Sequence, residues 1–290
     1  MIRFANEKDF DFVKNSWSVC FDDPPEFVDW NFKYNYSKEN TLIAEIDGTS
    51  ASVMQLMPYT LMLGEHEVSA RYVSGVATLP EYRGKGLVRE LFDDALPKMY
   101  DMDAAISILF PAVDGMYEKF GYTKIYKRNF YKADKLCGQE ICSLDDVPFE
   151  RIDKIYLKNM HQNGIYIKRS KSDWEKIITD LIKLSGGKVL LFENGYALAY
   201  PKDEHFEVCE ICGSCDISGT PVPQFPVMAR IINAEKIQRL FPEVSNFGIY
   251  DTFISQNNYP SKNGANTIDI SDLTKLLFNQ FPNGYINMLL

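Results

Sequence analysis

A strand, a glycine-rich turn and a helix follow one another at residues 76–92, in the stretch VATLPEYRGKGLVRELF. This order constrains the fold strongly, because it joins two regular elements through a turn of defined chemistry. Gly84 and Gly86 let the backbone turn tightly with successive N–H groups pointing the same way, and the helix that begins near Leu87 adds the positive end of its dipole. Neither the Gly-x4-Gly-Lys-Ser/Thr loop nor the Gly-x-Gly-x-x-Gly turn is present. The stretch therefore predicts an anion site of diphosphate size, and a solvated turn without a ligand is the alternative.

The overall charge of the chain is opposite to that of this turn. Lys and Arg total 31 against 40 Asp and Glu, which gives a formal net charge of -9. Phosphate backbones are bound mainly by basic groups, so this balance argues against a nucleic-acid surface and favours neutral or cationic partners. Arg83, Lys85 and Arg89 nevertheless form a local basic patch, which suits an anionic ligand.

Length and composition predict a globular protein. The 290 residues are 46% hydrophobic and 13% aromatic, which allows one large domain or two to three small ones. The N-terminus MIRFANEKDFDF lacks the charged-then-apolar order of a signal peptide, and no window approaches about 18 uninterrupted apolar residues. We therefore expect a cytoplasmic protein with no membrane partner.

The first 134 residues alternate strands and helices and predict one α/β domain. A short strand over Ile2–Phe4 leads into a helix that Asn6 caps. Two strands then meet at Asp47-Gly48, a strong hairpin signal, and another strand over Val68–Thr78 runs into the glycine turn. After the helix that follows the turn, the strand AAISILF, a short helix and the strand TKIYKRNFYKA complete the domain.

Two further units follow a polar break over residues 132–146. The first reads as strand, helix and strand, then a hairpin turn at Asn194-Gly195 and another strand; it lacks the glycine turn, so it should not bind the same ligand. The second begins with VMARIINAEKIQRLF, a strand into a helix, and ends with a helix that Asp269 or Ser271 caps. The sequence thus predicts three domains, at 1–134, 135–224 and 225–290.

The run CEICGSC places Cys209, Cys212 and Cys215 at a spacing that superficially fits a metal or iron–sulfur site. A closed site needs a fourth ligand, for which His205, Cys137 and Cys142 are candidates. The same run also reads as a strand that enters a Gly-Ser turn, and buried reduced thiols are the ordinary state of such residues in a cytosolic chain. We therefore predict no metal.

The glycine turn resembles that of a known family, the GNAT superfamily of acetyl-coenzyme A dependent N-acetyltransferases. The family's pyrophosphate loop has the form Gln/Arg-x-x-Gly-x-Gly/Ala, and this chain is similar at Arg83 and Gly86. Val88 stands where the loop has Gly or Ala; the enhanced intracellular survival (Eis) type acetyltransferases, which resemble this chain over most of its length, accept a large residue there. The resemblance implies an α/β (α+β) fold with a GNAT-type mixed sheet flanked by helices, then a partial, degenerate second GNAT-like unit and a reduced, sterol-carrier-like C-terminal unit.

The same resemblance implies how acetyl-coenzyme A, the cosubstrate, is bound. The backbone at the end of the strand faces the thioester and the pantetheine amide, through Val76, Ala77 and Thr78. The turn itself holds the pyrophosphate, through Arg83, Gly84, Lys85, Gly86, Leu87 and Val88.

The catalytic residues are also implied by resemblance. FPAVDGMYEKFGYTKI is similar to the family segment whose Tyr, here Tyr117, is the general acid toward the departing thiolate; a packed aromatic on a helix is the alternative. A phenol with a pKa near 10 is matched to a thiolate of similar basicity. The family's base is the C-terminal carboxylate, here that of Leu290. Asp22, Asp23 and Glu26 are rival bases and candidates for the acceptor side, or else solvated turn acids.

These expectations combine into an acetyl-coenzyme A dependent N-acetyltransferase that acts on a primary amine by direct attack. The acidic balance favours a cationic acceptor, whether a small molecule such as an aminoglycoside or polyamine, or a peptide lysine. The family implies a homo-oligomer. The alternatives are a non-catalytic acyl-coenzyme A sensor or scaffold and, with less support, a metal-binding regulator built on CEICGSC.

Overall fold

The computed structural model describes residues 1–128, 130–217, 219–222, 225–262 and 264–286. Its strands are β1 (Ile2–Phe4), β2 (Thr41–Ile46), β3 (Thr49–Leu63), β4 (His66–Thr78), β5 (Ile106–Leu109), β6 (Thr123–Arg128), β7 (Tyr131–Ala133), β8 (Gln139–Ile141), β9 (Ile165–Ile167), β10 (Lys188–Phe192), β11 (Asn194–Lys202), β12 (His205–Ser214), β13 (Thr220–Pro221), β14 (Phe225–Ile231), β15 (Gly248–Tyr250) and β16 (Thr267–Asp269). Its α-helices are α1 (Phe10–Cys20), α2 (Pro25–Tyr34), α3 (Leu87–Asp101), α4 (Phe149–Asn163), α5 (Lys171–Thr179), α6 (Ala234–Leu240) and α7 (Ile270–Asn279). None of the helices described is both long and apolar enough to cross a membrane.

The chain divides into two compact units. The first contains residues 1–60, 66–125 and 227–280, and the second contains residues 61–65, 126–226 and 281–290. The chain therefore leaves the first unit after residue 125 and re-enters it at residue 227. The division into domains at 1–134, 135–224 and 225–290 stays a prediction.

The first unit is built on a mixed sheet with strand order β1-β2-β3-β4-β5-β14-β6. β4 and β5 are parallel, whereas β1–β2, β2–β3 and β5–β14 are antiparallel. The predicted hairpin is confirmed: Ile46 pairs with Thr49, and Asp47 and Gly48 have φ of 49 and 78. A turn with positive φ at both central residues matches the twist of paired strands. The mixed sheet flanked by helices that the sequence predicts is therefore confirmed.

Helices cover this sheet on both faces. Leu42 of β2 packs in one buried cluster with Leu91 and Phe92 of α3, while the next residue, Ile43, packs in another with Val28 of α2. Alternate residues of a strand point to opposite faces, so the nearly continuous apolar run of β2 is what two-sided burial requires.

Residues 227–280 join the first unit because β14 is a strand of its sheet. Four residue pairs, from Met228↔Leu109 to Ile231↔Ile106, attach β14 to β5. Asn233 caps α6 and Asp269 caps α7, and β15 and β16 pair in parallel with Ile249 opposite Ile268. The hydrogen bonds of β14 with β5 explain why this segment does not form a unit of its own.

The second unit has a sheet with the order β13-β7-β12-β11-β10-β8, and α4 and α5 pack in its main buried cluster. Helix α4 was not expected from the sequence, although its buried positions Ile152, Tyr156 and Met160 have helical spacing. The hairpin turn lies one residue earlier than expected, because Phe192 pairs with Gly195. The predicted strand over residues 123–133 is two strands, β6 and β7, in different sheets.

Candidate active site

The predicted anion site is a turn whose backbone N–H groups are available to a ligand. Gly84 and Gly86 have φ of 78 and 82, and Gly86 is the N-cap of α3. The backbone N–H groups of residues 84–89 donate no hydrogen bond to any described residue, and the first bond of the helix runs from the N–H of Glu90 to the carbonyl of Gly86. A Cβ placed on either glycine would meet no atom within 4 Å. The turn therefore presents six consecutive free donors at a positive helix end, which is the arrangement that binds phosphate groups.

Three basic side chains surround these donors, all of them exposed. Arg83 donates from Nε to the carbonyl of Thr78 at 3.1 Å, Lys85 Nζ lies 5.0 Å from the centre of the Tyr82 ring, and Arg89 Nε is 3.7 Å from a carboxylate oxygen of Asp93. These weak surface contacts leave the cations able to turn toward an anion. The residues present therefore fit the diphosphate of a coenzyme.

Val88, the departure from the family loop, faces the protein interior. Leu87 is buried and Val88 is half-buried, and both pack with the cluster that contains Leu91 and Phe92. A large side chain at position 88 is accommodated because it packs against the core. The departure does not disturb the turn.

The parallel strands β4 and β5 separate before they reach the turn. Their residue pairs run only from Ala70↔Ile106 to Tyr72↔Ile108, so the last residues of β4, Val73–Thr78, extend past β5. On β4 the carbonyl of Ala77 accepts from Ser52 Oγ at 2.7 Å. The hydroxyl oxygen of Thr78 lies 2.8 Å from Ser52 Oγ. Val76, Ala77 and Thr78 thus lie on a strand end that β5 does not cover.

Tyr117 lies at a tight turn, in the region where the sequence predicts a short helix. The turn is a 3-10 helix over Glu118–Phe120, which ends at Gly121 with φ of 80. Tyr117 is 6% exposed, and its ring meets the Phe92 ring edge-on at 5.8 Å. Its hydroxyl makes no hydrogen bond with a described residue, and burial raises the pKa of this phenol above its usual value near 10. Tyr117 is therefore a neutral hydroxyl whose proton is free to be donated.

The acidic residues predicted for the acceptor side lie at the end of α1 and the start of α2. Asp22, Asp23 and Glu26 are all exposed. Asp23 accepts from Trp17 Nε1 at 2.8 Å, and Trp17 packs so closely on β4 that a Cβ at Gly75 would lie 2.7 Å from its Cζ3. The structure therefore fixes Asp23 beside β4, whereas it records no side-chain contact for Asp22 or Glu26. The predicted base, Leu290, lies outside the described residues.

The first part of the chain is similar to a known protein family. Residues 1–125 match the family model described as acetyltransferase (GNAT) domain. This match supports an N-acetyltransferase. No curated protein matches the chain.

The solved structures similar to this chain extend the fold likeness over nearly its whole length. A GCN5-related N-acetyltransferase from Anabaena variabilis is 16% identical with a TM-score of 0.76, and the match covers 97% of this chain and 90% of that one. A conserved protein of unknown function from Enterococcus faecalis, a probable N-acyltransferase, is 15% identical with a TM-score of 0.74 over 96% and 89%. Eis1 from Mycobacterium abscessus is 13% identical with a TM-score of 0.69 over 96% and 89%.

The match to the GNAT model indicates which acyl donor the chain uses. Acetyltransferases of this type use acetyl-coenzyme A as the acyl donor, and the free N–H groups and cations of residues 83–89 suit its pyrophosphate. The chain therefore carries an acetyl-coenzyme A dependent N-acetyltransferase domain.

The cysteines of CEICGSC are engaged with the second unit's own backbone. Cys209 donates to the carbonyl of Leu198 at 3.4 Å and Cys215 to that of Tyr196 at 3.2 Å. Burial raises the pKa of Cys212 to about 12 and that of Cys215 to about 11. Burial therefore keeps these two thiols protonated. Among the residues that the structure describes, no three His, Cys, Asp or Glu side chains are grouped as a metal site.

Two residues that contact the candidate site were not expected from the sequence. Cys20 lies beside the turn, with Sγ donating to the carbonyl of Thr78 at 3.4 Å, and nothing in the sequence indicates this proximity. Arg230, on β14, donates from Nε to the carbonyl of Phe120 in the Tyr117 turn at 2.7 Å. A signal for Arg230 was present, since an arginine inside the apolar strand VMARII requires a buried partner.

Proposed function

We propose that this protein transfers the acetyl group of acetyl-coenzyme A to a primary amine by direct attack, without a covalent enzyme intermediate. The observation that carries the proposal is the row of free N–H groups at residues 84–89, placed after a strand that extends past its parallel neighbour. These groups bind the pyrophosphate together with Arg83 and Lys85. The free end of β4, Val76–Thr78, lies along the pantetheine arm.

Tyr117 acts as the general acid in this proposal. Acyl transfer from a thioester releases a thiolate, and a positioned proton donor accelerates that release by about 10²–10⁴-fold. The raised pKa of the Tyr117 phenol keeps the proton on its oxygen throughout the neutral range. Replacement of Tyr117 by Phe should therefore lower kcat by about 100-fold with little change in coenzyme affinity.

The acceptor is a cationic amine, bound on the side of α1 and α2. Asp22, Asp23 and Glu26 place three carboxylates there, and the Trp17 indole holds that of Asp23 in place. The net charge of -9 also attracts a cation at long range. Aminoglycosides, polyamines and lysine side chains share the required chemistry.

The base that deprotonates the amine is the C-terminal carboxylate of Leu290, as in the Eis-type acetyltransferases. We propose this subfamily for the chain because the likeness to Eis1 from Mycobacterium abscessus covers 96% of it. Deletion of the last four residues should abolish acetyl transfer while coenzyme A still binds. Full activity of the shortened protein would assign the base to an internal acid, such as Asp23, or to water.

The experiment that tests the proposal is calorimetric titration with acetyl-coenzyme A, followed by a thiol-release assay on the same preparation. Spermidine, kanamycin and a lysine peptide serve as acceptors. Binding together with amine-dependent thiol release is the expected result. Binding without release on any amine would favour the sensor or scaffold alternative, and absence of binding would refute the assignment of the turn.

A further inference from the structure

Arg230 is a fully buried arginine that contacts the Tyr117 turn. It lies on β14 opposite Ser107 of β5, and its side chain is 0% exposed. Nε donates to the carbonyl of Phe120 at 2.7 Å, and Nη1 donates to the carbonyl of Ile231 at 2.8 Å. Nη2 donates to Asp251 Oδ1 at 2.6 Å. The guanidinium thus joins three acceptors from three separate places in the chain.

Asp251 holds the guanidinium rigidly. Its carboxylate is also 0% exposed, and it accepts from the backbone N–H of Phe253 at 2.9 Å and from Asn257 Nδ2 at 2.8 Å. A buried carboxylate that accepts several hydrogen bonds is held in a fixed position. The Arg230–Asp251 pair is therefore a rigid support, and the carbonyl of Phe120 is hydrogen-bonded to it.

The Tyr117 hydroxyl depends on this support, because it has no hydrogen bond of its own within the described residues. Its position follows from the Phe92 ring contact and from the backbone of the turn. That backbone is closed by the bond from the N–H of Phe120 to the carbonyl of Tyr117 at 3.0 Å and is held at its end by Arg230. Loss of the guanidinium would release Phe120 and let the phenol shift.

We propose that Arg230 is a positioning residue, which acts through Phe120 to hold the Tyr117 hydroxyl where it protonates the thiolate. The inference rests on the proposed role of Tyr117. It also gives the segment 227–280 a part in catalysis, although this segment lies outside the residues that match the acetyltransferase model. A planar guanidinium is required, since an ammonium cannot hold a carbonyl and a carboxylate in fixed directions at once.

The test is a double-mutant cycle of Arg230→Lys and Tyr117→Phe, with kcat and KM from thiol release and coenzyme A affinity from calorimetry. Arg230→Lys alone should lower kcat about 10-fold and change coenzyme affinity less than about 2-fold. In the Tyr117→Phe background the same substitution should lower kcat by less than about 2-fold, because the acid is already gone. Equal losses in both backgrounds, or an unchanged kcat, would overturn the inference.

Two further variants separate positioning from stability. Arg169→Lys is the matched control, because Arg169 and Glu210 form another buried ion pair, in the second unit. The two Nη atoms of Arg169 donate to the two carboxylate oxygens of Glu210, each at 2.7 Å. This substitution should lower the melting temperature and leave kcat unchanged. If Arg230→Lys does not fold, Gly121→Ala replaces it in the cycle: its Cβ would lie 3.2 Å from Arg230 Nε, and the same non-additivity is expected.

Failure of the proposed function has a different signature. A fully active Tyr117→Phe protein would remove Tyr117 from the acid role, and the positioning role of Arg230 would fall with it. An impaired Tyr117→Phe protein in which Arg230→Lys still causes its full additional loss would refute only the positioning role.

Discussion

Replacement of Gly86 by Asp, with Gly86→Asn as the matched control, tests the assignment of the turn directly. Gly86 has φ of 82, and a Cβ there would meet no atom within 4 Å, so either side chain fits. Asn and Asp both tolerate this backbone conformation, which makes the loss of stability small and equal for the two variants. The two side chains have nearly the same shape and differ by one negative charge.

The magnitude of the charge effect follows from Coulomb's law. A phosphate charge about 5 Å from the new carboxylate is repelled by about 1 kcal/mol at the dielectric constant of water and by about 3 kcal/mol at a value typical of a protein surface. Gly86 is exposed, so the lower figure applies to each of the two phosphates. The total of about 2 kcal/mol corresponds to coenzyme A binding about 30-fold weaker in the Asp variant than in the Asn variant.

Calorimetric titration of both variants with coenzyme A measures this difference. A rise from about 0.05 M to about 0.5 M salt should shrink it, because salt screens exposed charges. Equal affinities of the Asp and Asn variants at low salt would refute the reasoning, since no diphosphate would then lie beside Gly86.

Three other predictions concern the first unit. Tyr122→Phe removes the buried bond between Tyr122 and Ser107 Oγ, 2.6 Å long, and should lower the free energy of unfolding in urea by about 1–2 kcal/mol; an unchanged midpoint would contradict this. The Arg3 guanidinium holds the pKa of Asp9 below its ordinary value, so the stabilisation is present above about pH 4 and is lost as the pH falls further. Unfolding of Asp9→Asn should therefore depend less on pH than that of the wild type between about pH 4 and about pH 2, and parallel pH curves would argue against the pair. Because burial raises the pKa of Tyr117, kcat should not fall below about pH 10 through loss of the Tyr117 proton. A fall of kcat at a lower pH that Tyr117→Phe abolishes would contradict the burial of this phenol.

Much of the turn proposed to bind the coenzyme could be predicted from the sequence, because its determinants are local. The glycines and cations of residues 83–89 lie within one turn, and a turn at the start of a helix exposes N–H groups whatever surrounds it. The Asp47-Gly48 hairpin and the Asn6 cap follow from similarly local preferences. Such preferences act over a few residues and can therefore be identified from the sequence alone.

The tertiary structure decided what depends on distant parts of the chain. Arg230 and Phe120 are 110 positions apart, and the sequence indicated only that this arginine needs a partner. The insertion of β14 between β5 and β6 likewise depends on pairing between remote segments, and so does the packing of Trp17 against Gly75. Contacts of this kind are selected by burial and hydrogen bonding in the assembled sheet, not by local backbone preference. The sequence alone thus determined the glycine turn and its free N–H groups, whereas only the assembled sheet placed a buried ion pair behind the proposed acid.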